Sequence, residues 1–307
     1  MVVIQVQGGL GNQLFQIVAG YLLARKNGES RLFLDVSRVP FGTDNSRRLE
    51  ALNLNLFPSD FSIEVWGEKL YRFTSYFPSR VGAFASITTS KINSKLRFKR
   101  HFFFSENVST KKFEELDANT ILHGYFNDFS IVEKAQDLGL KSDLLLSSQP
   151  SRWLTNSLET IDFDSNIAIH VRLGDYLKYP QIFGSLSEEY YLSGLDEIGF
   201  SKNQPLIIFS DQPNLVANHL PKISRLNNCR IIRSSSAVPS YETLFLMSKF
   251  NKIVCANSTF SMWAAWFNQG GEFGKKRVVI PTPYLLDRVD MVTPAAWRKI
   301  PRTSSPK

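Results

Sequence analysis

Apolar residues recur along this chain at two spacings. Val2-Val3-Ile4 is a short apolar run that leads into the glycine-rich stretch Gln7-Gly8-Gly9-Leu10-Gly11-Asn12-Gln13. Beyond it, Leu14, Phe15, Ile17, Val18, Tyr21 and Leu22 share one face of a helix predicted over residues 14–26, with Gly28 as its stop. Arg31-Leu32-Phe33-Leu34 reads as a second strand ending at Asp35. Strand, glycine turn, helix and strand in that order open an α/β unit. Residues 60–120 carry no pattern that orders them, and Ile121-Leu122-His123-Gly124-Tyr125 resembles a further strand.

The second half alternates more regularly. Strand-like runs cover Ile167 to Val171, Leu206 to Phe209, Arg230 to Ile232, Lys252 to Cys255 and Arg277 to Ile280. Helical stretches separate them, among them Ser240 to Lys249 and one opened by Ser185-Leu186-Ser187-Glu188, which has the spacing of a capping box. Apolar strands alternating with helices predict a doubly wound parallel sheet. The polar segment Ser147 to Asn166, with Gln149-Pro150, is the predicted division between an N-terminal α/β domain over 1–150 and a C-terminal one over 151–307. The expected fold class is α/β, with two Rossmann-like domains facing a cleft.

Composition narrows the class. Of 307 residues, 43% are hydrophobic and 21% charged, enough apolar surface to bury a globular core. No apolar run reaches the roughly 18 residues of a membrane span, so none is expected. The chain enters a strand pattern with neither basic leader nor small-residue cleavage site, so no secretion signal is expected. The two cysteines, Cys229 and Cys255, form neither a disulfide framework nor a zinc spacing. A reducing cytoplasm is the expected compartment, and the sequon Asn257-Ser258-Thr259 is not expected to be glycosylated.

Net charge adds an anionic partner. The 36 basic and 28 acidic side chains leave a formal +8, which favours a nucleotide, a phospholipid surface or nucleic acid. Lys69 to Ser105 contains no carboxylate, while Lys69, Arg72, Arg80, Lys91, Lys95, Arg97, Lys99 and Arg100 sit among aromatics. Such a stretch reads equally as a patch for a membrane surface or lipid-linked substrate and as a solvated basic face. No motif for reading nucleic acid accompanies it, so nucleic acid is not expected as a partner.

Three stretches carry candidate chemistry. Gly9-Leu10-Gly11 after a strand, with Asp35 ending the next, has the outline of a dinucleotide fingerprint, but Leu14 stands where its third glycine belongs. His170-Val171-Arg172-Leu173-Gly174-Asp175-Tyr176 follows a strand, so it presents an imidazole and a guanidinium at the sheet edge where α/β folds bind ligands. A guanidinium grips a pyrophosphate with a planar fork, and Asp175 can fix the loop or Arg172 itself. Taken alone, the Arg–Asp pair merely braces a strand end. Asn257-Ser258-Thr259-Phe260-Ser261 places hydroxyls at a helix start, which is an anion site when a cation is near and only an N-cap when it is not. Asp162-Phe163-Asp164 reads as a solvated loop rather than a metal pair, so no metal ligand is assigned.

Gly8-Gly9-Leu10-Gly11-Asn12-Gln13, His170-Val171-Arg172-Leu173-Gly174-Asp175-Tyr176, Phe209-Ser210-Asp211 and Asn257-Ser258-Thr259-Phe260-Ser261 occur in that order. Together they resemble the signature of family-11 glycosyltransferases, the bacterial and animal α1,2-fucosyltransferases, over Gly8 to Trp266. The resemblance implies the two-domain fold called GT-B, a nucleotide-sugar donor such as GDP-fucose, inversion at the sugar carbon, and a galactoside acceptor in surface polysaccharide synthesis. It implies no metal or other cofactor, because arginine and helix ends neutralise the leaving diphosphate. Arg172 would then stabilise charge growing on the β-phosphate, with Ser258, Thr259 and Ser261. His170, Asp211, Glu242, Thr243, Asn257 and Phe260 would line the nucleotide-sugar site. Gly9 and Gly11 would allow close approach, and Asn12 and Gln13 would face donor sugar or acceptor. Asp175 and Asp128 are the carboxylates available as base, and the sequence does not choose between them. The acceptor could be lipid-linked, with peripheral contact at the inner face of the membrane.

Several positions depart from the family pattern. Leu173 replaces a second arginine, and Thr243 replaces an acidic residue in the region where related GDP-sugar enzymes read guanine. A threonine hydroxyl cannot accept both guanine N–H bonds at once. Phe183, Met262 and Asn127-Asp128 also differ from the usual residues. These changes leave open a UDP- or dTDP-linked donor, and a module that binds nucleotide or sugar without catalysis.

Overall fold

The structure, a computed structural model, describes residues 1–36, 49–65, 99–102 (backbone), 115–226, 228–232, 238–267, 276–286 and 291–302. The basic stretch from Lys69 lies outside them, apart from the backbone of Lys99–Phe102. The chain forms two compact units, Met1–Lys141 with Pro239–Tyr241, and Ser142–Val238 with Glu242–Lys307.

The first unit comprises β1 (Val2–Gln5), α1 (Leu10–Lys26), β2 (Arg31–Asp35), β3 (Ser62–Val65), β4 (Lys99–Phe102), β5 (Thr120–His123) and α2 (Phe129–Gln136). Its strands are parallel in the order β3-β2-β1-β5-β4. Helix α1 starts at Leu10, inside the glycine motif, because the extended backbone of Gly9 caps it and the N–H groups of Asn12 and Gln13 donate to the Gly9 carbonyl. It is buried around nearly its whole circumference, Gln13 and Gln16 included, rather than on one face. A Cβ at Gly20 would lie 2.8 Å from Leu32 Cδ1 and 3.2 Å from Ile4 Cβ, so the close approach of helix to sheet is made at Gly20. Phe15 meets Phe129 edge to face at 5.0 Å, and each ring so buried contributes about 1.5–3 kcal/mol. Strand β3 carries exposed Ser62 and Glu64 at the sheet edge, which is why no apolar run announces it.

The second unit comprises α3 (Arg152–Thr160), β6 (Ile167–Val171), α4 (Gly174–Lys178), α5 (Glu188–Glu197), β7 (Leu206–Ser210), β8 (Cys229–Ile232), α6 (Ser240–Ser248) from Glu242 onward, β9 (Lys252–Val254), α7 (Thr259–Trp266), β10 (Arg277–Thr282) and β11 (Arg298–Pro301), besides short helices within 213–224. The polar segment predicted as a division thus holds α3, whose N-cap Ser151 accepts from Leu154 N. The expected doubly wound parallel sheet is present, in the order β11-β10-β9-β6-β7-β8. Every residue of β6 and β7 is buried, as strands covered on both faces must be. The capping-box spacing is not used: Ser187, not Ser185, caps α5. The Glu188 carboxylate instead accepts the N–H groups of Lys222 and Ile223 at 2.6 and 2.9 Å.

Candidate active site

From β6 the chain winds outward through β7 and β8, and from β9 it winds the opposite way through β10 and β11. The crevice beyond the C-terminal ends of β6 and β9 is therefore a topological switch point, where open α/β sheets bind ligands. Strands whose continuations diverge leave carbonyls without ladder partners, and buried carbonyls need donors. Three tyrosine hydroxyls supply them: Tyr191 to His170 O at 3.1 Å, Tyr190 to Cys255 O at 2.7 Å and Tyr176 to Asn257 O at 2.6 Å. Burial pushes all three phenols above their ordinary pKa, so they remain donors. Tyr190 and Tyr191 were not foreseen. The available signal was a pair of adjacent tyrosines on a core helix, since a buried phenol seeks a partner for its hydroxyl.

Arg172 leaves the end of β6 with its guanidinium held on two sides. Nε and Nη2 donate to Asp175 Oδ1 at 3.1 and 2.8 Å, and Nη1 lies 3.2 Å from Asp211 Oδ2. Burial opposes the charge on Arg172, but Asp211 and Asp175 outweigh it and raise the pKa. Asp211 also accepts Leu173 N at 2.9 Å and Gly174 N at 3.0 Å, so it fixes the turn after Arg172. A Cβ at Gly174 would stand 2.5 Å from Asp211 Oδ2, so a side chain there would displace that carboxylate. Asp211, expected as a ligand contact, thus also positions this turn. Leu173 is buried in the core.

His170 packs its ring against Phe260 at 5.6 Å. Burial, reinforced by the charge of Arg172, lowers its pKa to about 3, so the imidazole is neutral at physiological pH. Its Nδ1 is buried and has no hydrogen-bond partner among the described residues. Ser258 is the N-cap of α7, yet no side-chain hydrogen bond caps the helix there. A helix start carries N–H groups without intrahelical acceptors and concentrates positive potential, the combination that binds anions. Thr259 follows at the first turn and is buried. Ser261 is fully buried, its hydroxyl 3.4 Å from Ala256 O and 3.2 Å from Ser258 O, so it braces the turn into α7. Asn257 donates from Nδ2 to the carbonyls of Phe183 and Gly184.

Three further carboxylates also brace the scaffold. The Glu242 carboxylate is buried and accepts both Ser151 N (2.8 Å) and the Ser151 hydroxyl, while Thr243 beside it is half-buried on α6. Asp162 accepts Asp164 N and Ser165 N in a local turn, and Asp164 accepts from Asn251 Nδ2. Among the described residues no three of His, Cys, Asp or Glu gather in a metal-holding group, and no helix is long and apolar enough to cross a membrane.

In the first unit, the loops after β1 and β5 lie at its own switch point, because β1 pairs with both β2 and β5. Gln16 joins the two loops: its Oε1 accepts Gln7 N at 2.9 Å and its Nε2 donates to Gly124 O at 2.9 Å. Gln13 is fully buried and donates to Gly8 O at 3.1 Å, so it holds the glycine loop where ligand contact was expected. Gly8 has φ +80, and a Cβ there would meet Asn12 Nδ2 at 2.9 Å, making it the glycine this turn requires. Gly9 faces open space and Gly11 is enclosed in α1. Asp35 is buried and accepts from Gln5 Nε2, so it does not stand ready for a ribose. Asp128 caps α2 by accepting Ser130 N at 2.8 Å.

The family model described as glycosyl transferase family 11 matches residues 1–283. The O-antigen biosynthesis glycosyltransferase WbnK of Escherichia coli is 28% identical over 287 residues, covering 90% of this chain and 92% of that protein. An alpha-1,2-colitosyltransferase of Escherichia coli is 24% identical over 297 residues, covering 92% of each. Among solved structures, the glycosyl transferase family 9 protein of Veillonella parvula DSM 2008 aligns at TM-score 0.48 and 11% identity, covering 100% of this chain and 88% of that one.

Proposed function

This chain belongs to glycosyl transferase family 11, and on that premise we propose that it transfers L-fucose from GDP-fucose, with inversion, to a galactoside hydroxyl in α1,2 linkage. The second unit takes the nucleotide and the first takes the acceptor. The observation that carries the reading is that Arg172 and the start of α7 follow the C-terminal ends of the adjacent strands β6 and β9, at one switch point. As the sugar–phosphate bond breaks, negative charge grows on the β-phosphate, and fixed positive groups aimed there lower the barrier. Arg172 and the helix start supply that charge without a metal ion. Half-exposed Asp175 holds the fork of Arg172 in the free enzyme and yields it to the diphosphate, because a pair this open to solvent is worth at most about 1 kcal/mol. The more enclosed Asp211 keeps its place. Neutral His170 adds hydrogen bonding without adding charge.

The names of two relatives support an O-antigen or similar surface polysaccharide as product and an α1,2 linkage. A second reading keeps the reaction and changes the donor to a UDP- or dTDP-linked sugar. It is favoured by Glu242, whose carboxylate is already taken by Ser151, and by Thr243 in the acidic position. Calorimetric titration of GDP, UDP, dTDP and CDP separates the two. GDP binding at least tenfold tighter than the others, about 1.4 kcal/mol, supports the fucose donor. Preference for UDP or dTDP supports the second reading, and binding of none overturns both. Thr243→Asp should move preference toward GDP.

A further inference from the structure

Arg302 follows β11, and the family match ends before it, at residue 283. Parallel pairing brings it to the site all the same. Thr282 of β10 stands in register with Pro301, and Arg302 N donates to Thr282 O at 3.0 Å, so its side chain springs from the C-terminal edge of the same sheet as Arg172 and Ser258. Its Nη2 donates to Phe183 O at 2.7 Å and Gly184 O at 2.8 Å, across a separation of 119 and 118 residues, and Nη1 reaches Tyr284 O at 3.4 Å. The same two carbonyls accept Asn257 Nδ2 at 2.9 and 3.2 Å. Among the described residues Arg302 has no carboxylate partner. Its work is done on backbone.

The turn it holds belongs to the candidate site through several contacts. Phe183 stacks on Tyr176 with centroids 4.6 Å apart and planes at 8°. Tyr176 lies under the Arg172 guanidinium, 5.7 Å from its centroid, and donates to Asn257 O. Gly184 adopts φ +58, and a Cβ there would come within 2.8 Å of Arg302 Nη2, so glycine is what admits the guanidinium. A turn outside regular structure has carbonyls that need donors, and one planar guanidinium satisfies adjacent carbonyls in a fixed geometry.

We propose that Arg302 is a positioning residue of the nucleoside-diphosphate pocket. By clamping the Phe183–Gly184 turn it fixes Asn257, and through Asn257 the start of α7, while holding the Tyr176 ring beneath Arg172. The proposal rests on the reading that this sheet edge binds a nucleoside diphosphate.

The test titrates GDP and UDP into the full-length protein and its Arg302→Met, Arg302→Lys and Gly184→Ala variants, at a temperature where circular dichroism shows each folded. Donor and acceptor KM and Tm are measured in parallel. Arg302→Met should weaken the better-bound nucleotide at least tenfold and raise donor KM, leaving acceptor KM in place. Lysine, which keeps a cationic donor but not the planar fork, should restore only part of that affinity, and Gly184→Ala should weaken it as methionine does. Wild-type affinity in Arg302→Met, with or without a lower Tm, overturns the proposal. Should Arg302→Met not fold, wild-type affinity in Gly184→Ala overturns it, and weakened affinity there supports it. A wild-type protein that binds neither GDP nor UDP removes the functional reading and this proposal together, whereas normal wild-type binding with unchanged variants removes this proposal alone.

Discussion

Arg172 and Asp211 meet at 3.2 Å through Nη1 and Oδ2, and the same carboxylate holds the two N–H groups that follow Arg172 in the chain. One aspartate at the end of β7 therefore orients both the guanidinium and its backbone. Asp175 grips the opposite side of the guanidinium from a more exposed position. The guanidinium is thus held from two sides, the kind of preorganisation that the proposed stabilisation of a leaving diphosphate needs.

If Arg172 neutralises the leaving diphosphate as proposed, Arg172→Ala should lower kcat at least 10²-fold while leaving the protein folded. Arg172→Lys should recover little, since an ammonium cannot replace the fork. Steady-state kinetics with circular dichroism checks both. A folded Ala variant with near-normal kcat would confine Arg172 to bracing the strand end.

Asp211→Asn should destabilise the protein by about 1–3 kcal/mol, because its amide NH2 must face Leu173 N or Gly174 N and leave one donor unpaired. Gly174→Ala should do similar damage by displacing the same carboxylate. The double variant should cost less than the two losses added together, since both break one arrangement. Urea unfolding of all three measures this, and simple additivity would show that the sites are independent.

His170 makes the protein sensitive to acid in a defined direction. Its pKa is about 3 when folded, against an ordinary value of 6.5. Between those values the unfolded chain binds a proton that the native state does not, so stability is complete above about pH 6.5 and falls as pH drops toward 3. The slope from this group approaches about 1.4 kcal/mol per pH unit inside the window. His170→Asn should flatten the stability profile between pH 4 and 6 relative to wild type. Parallel profiles would mean that His170 titrates normally in the native state.

On the proposed mechanism, in which Arg172 and the start of α7 neutralise the leaving diphosphate, excess EDTA should leave turnover unchanged. Strict dependence on Mn²⁺ or Mg²⁺, restored by adding the ion back, would contradict the proposed mechanism and reopen Asp162 and Asp164 as ligands.

The sequence by itself determined the alternation of strands and helices, the doubly wound second sheet and the motifs at the ends of β6 and β9. Strands covered on both faces must be apolar throughout, so β6 and β7 are legible as uninterrupted runs. Edge strands β3 and β11 have exposed residues and lack that signature. Only the tertiary structure decided which polar residues of the motifs are bonded to the scaffold. Gln13, Asp211, Glu242 and Ser261 look like ligand contacts on the page, yet each is bonded to the protein itself, and for Glu242 the partner lies 91 residues away. Arg302 belongs to no motif and reaches the site because β11 runs parallel to β10. Burial periodicity is a local property of the chain, readable from neighbours three or four residues apart. Hydrogen-bond partners at a switch point are chosen by the fold, between strand ends that the sequence keeps far apart.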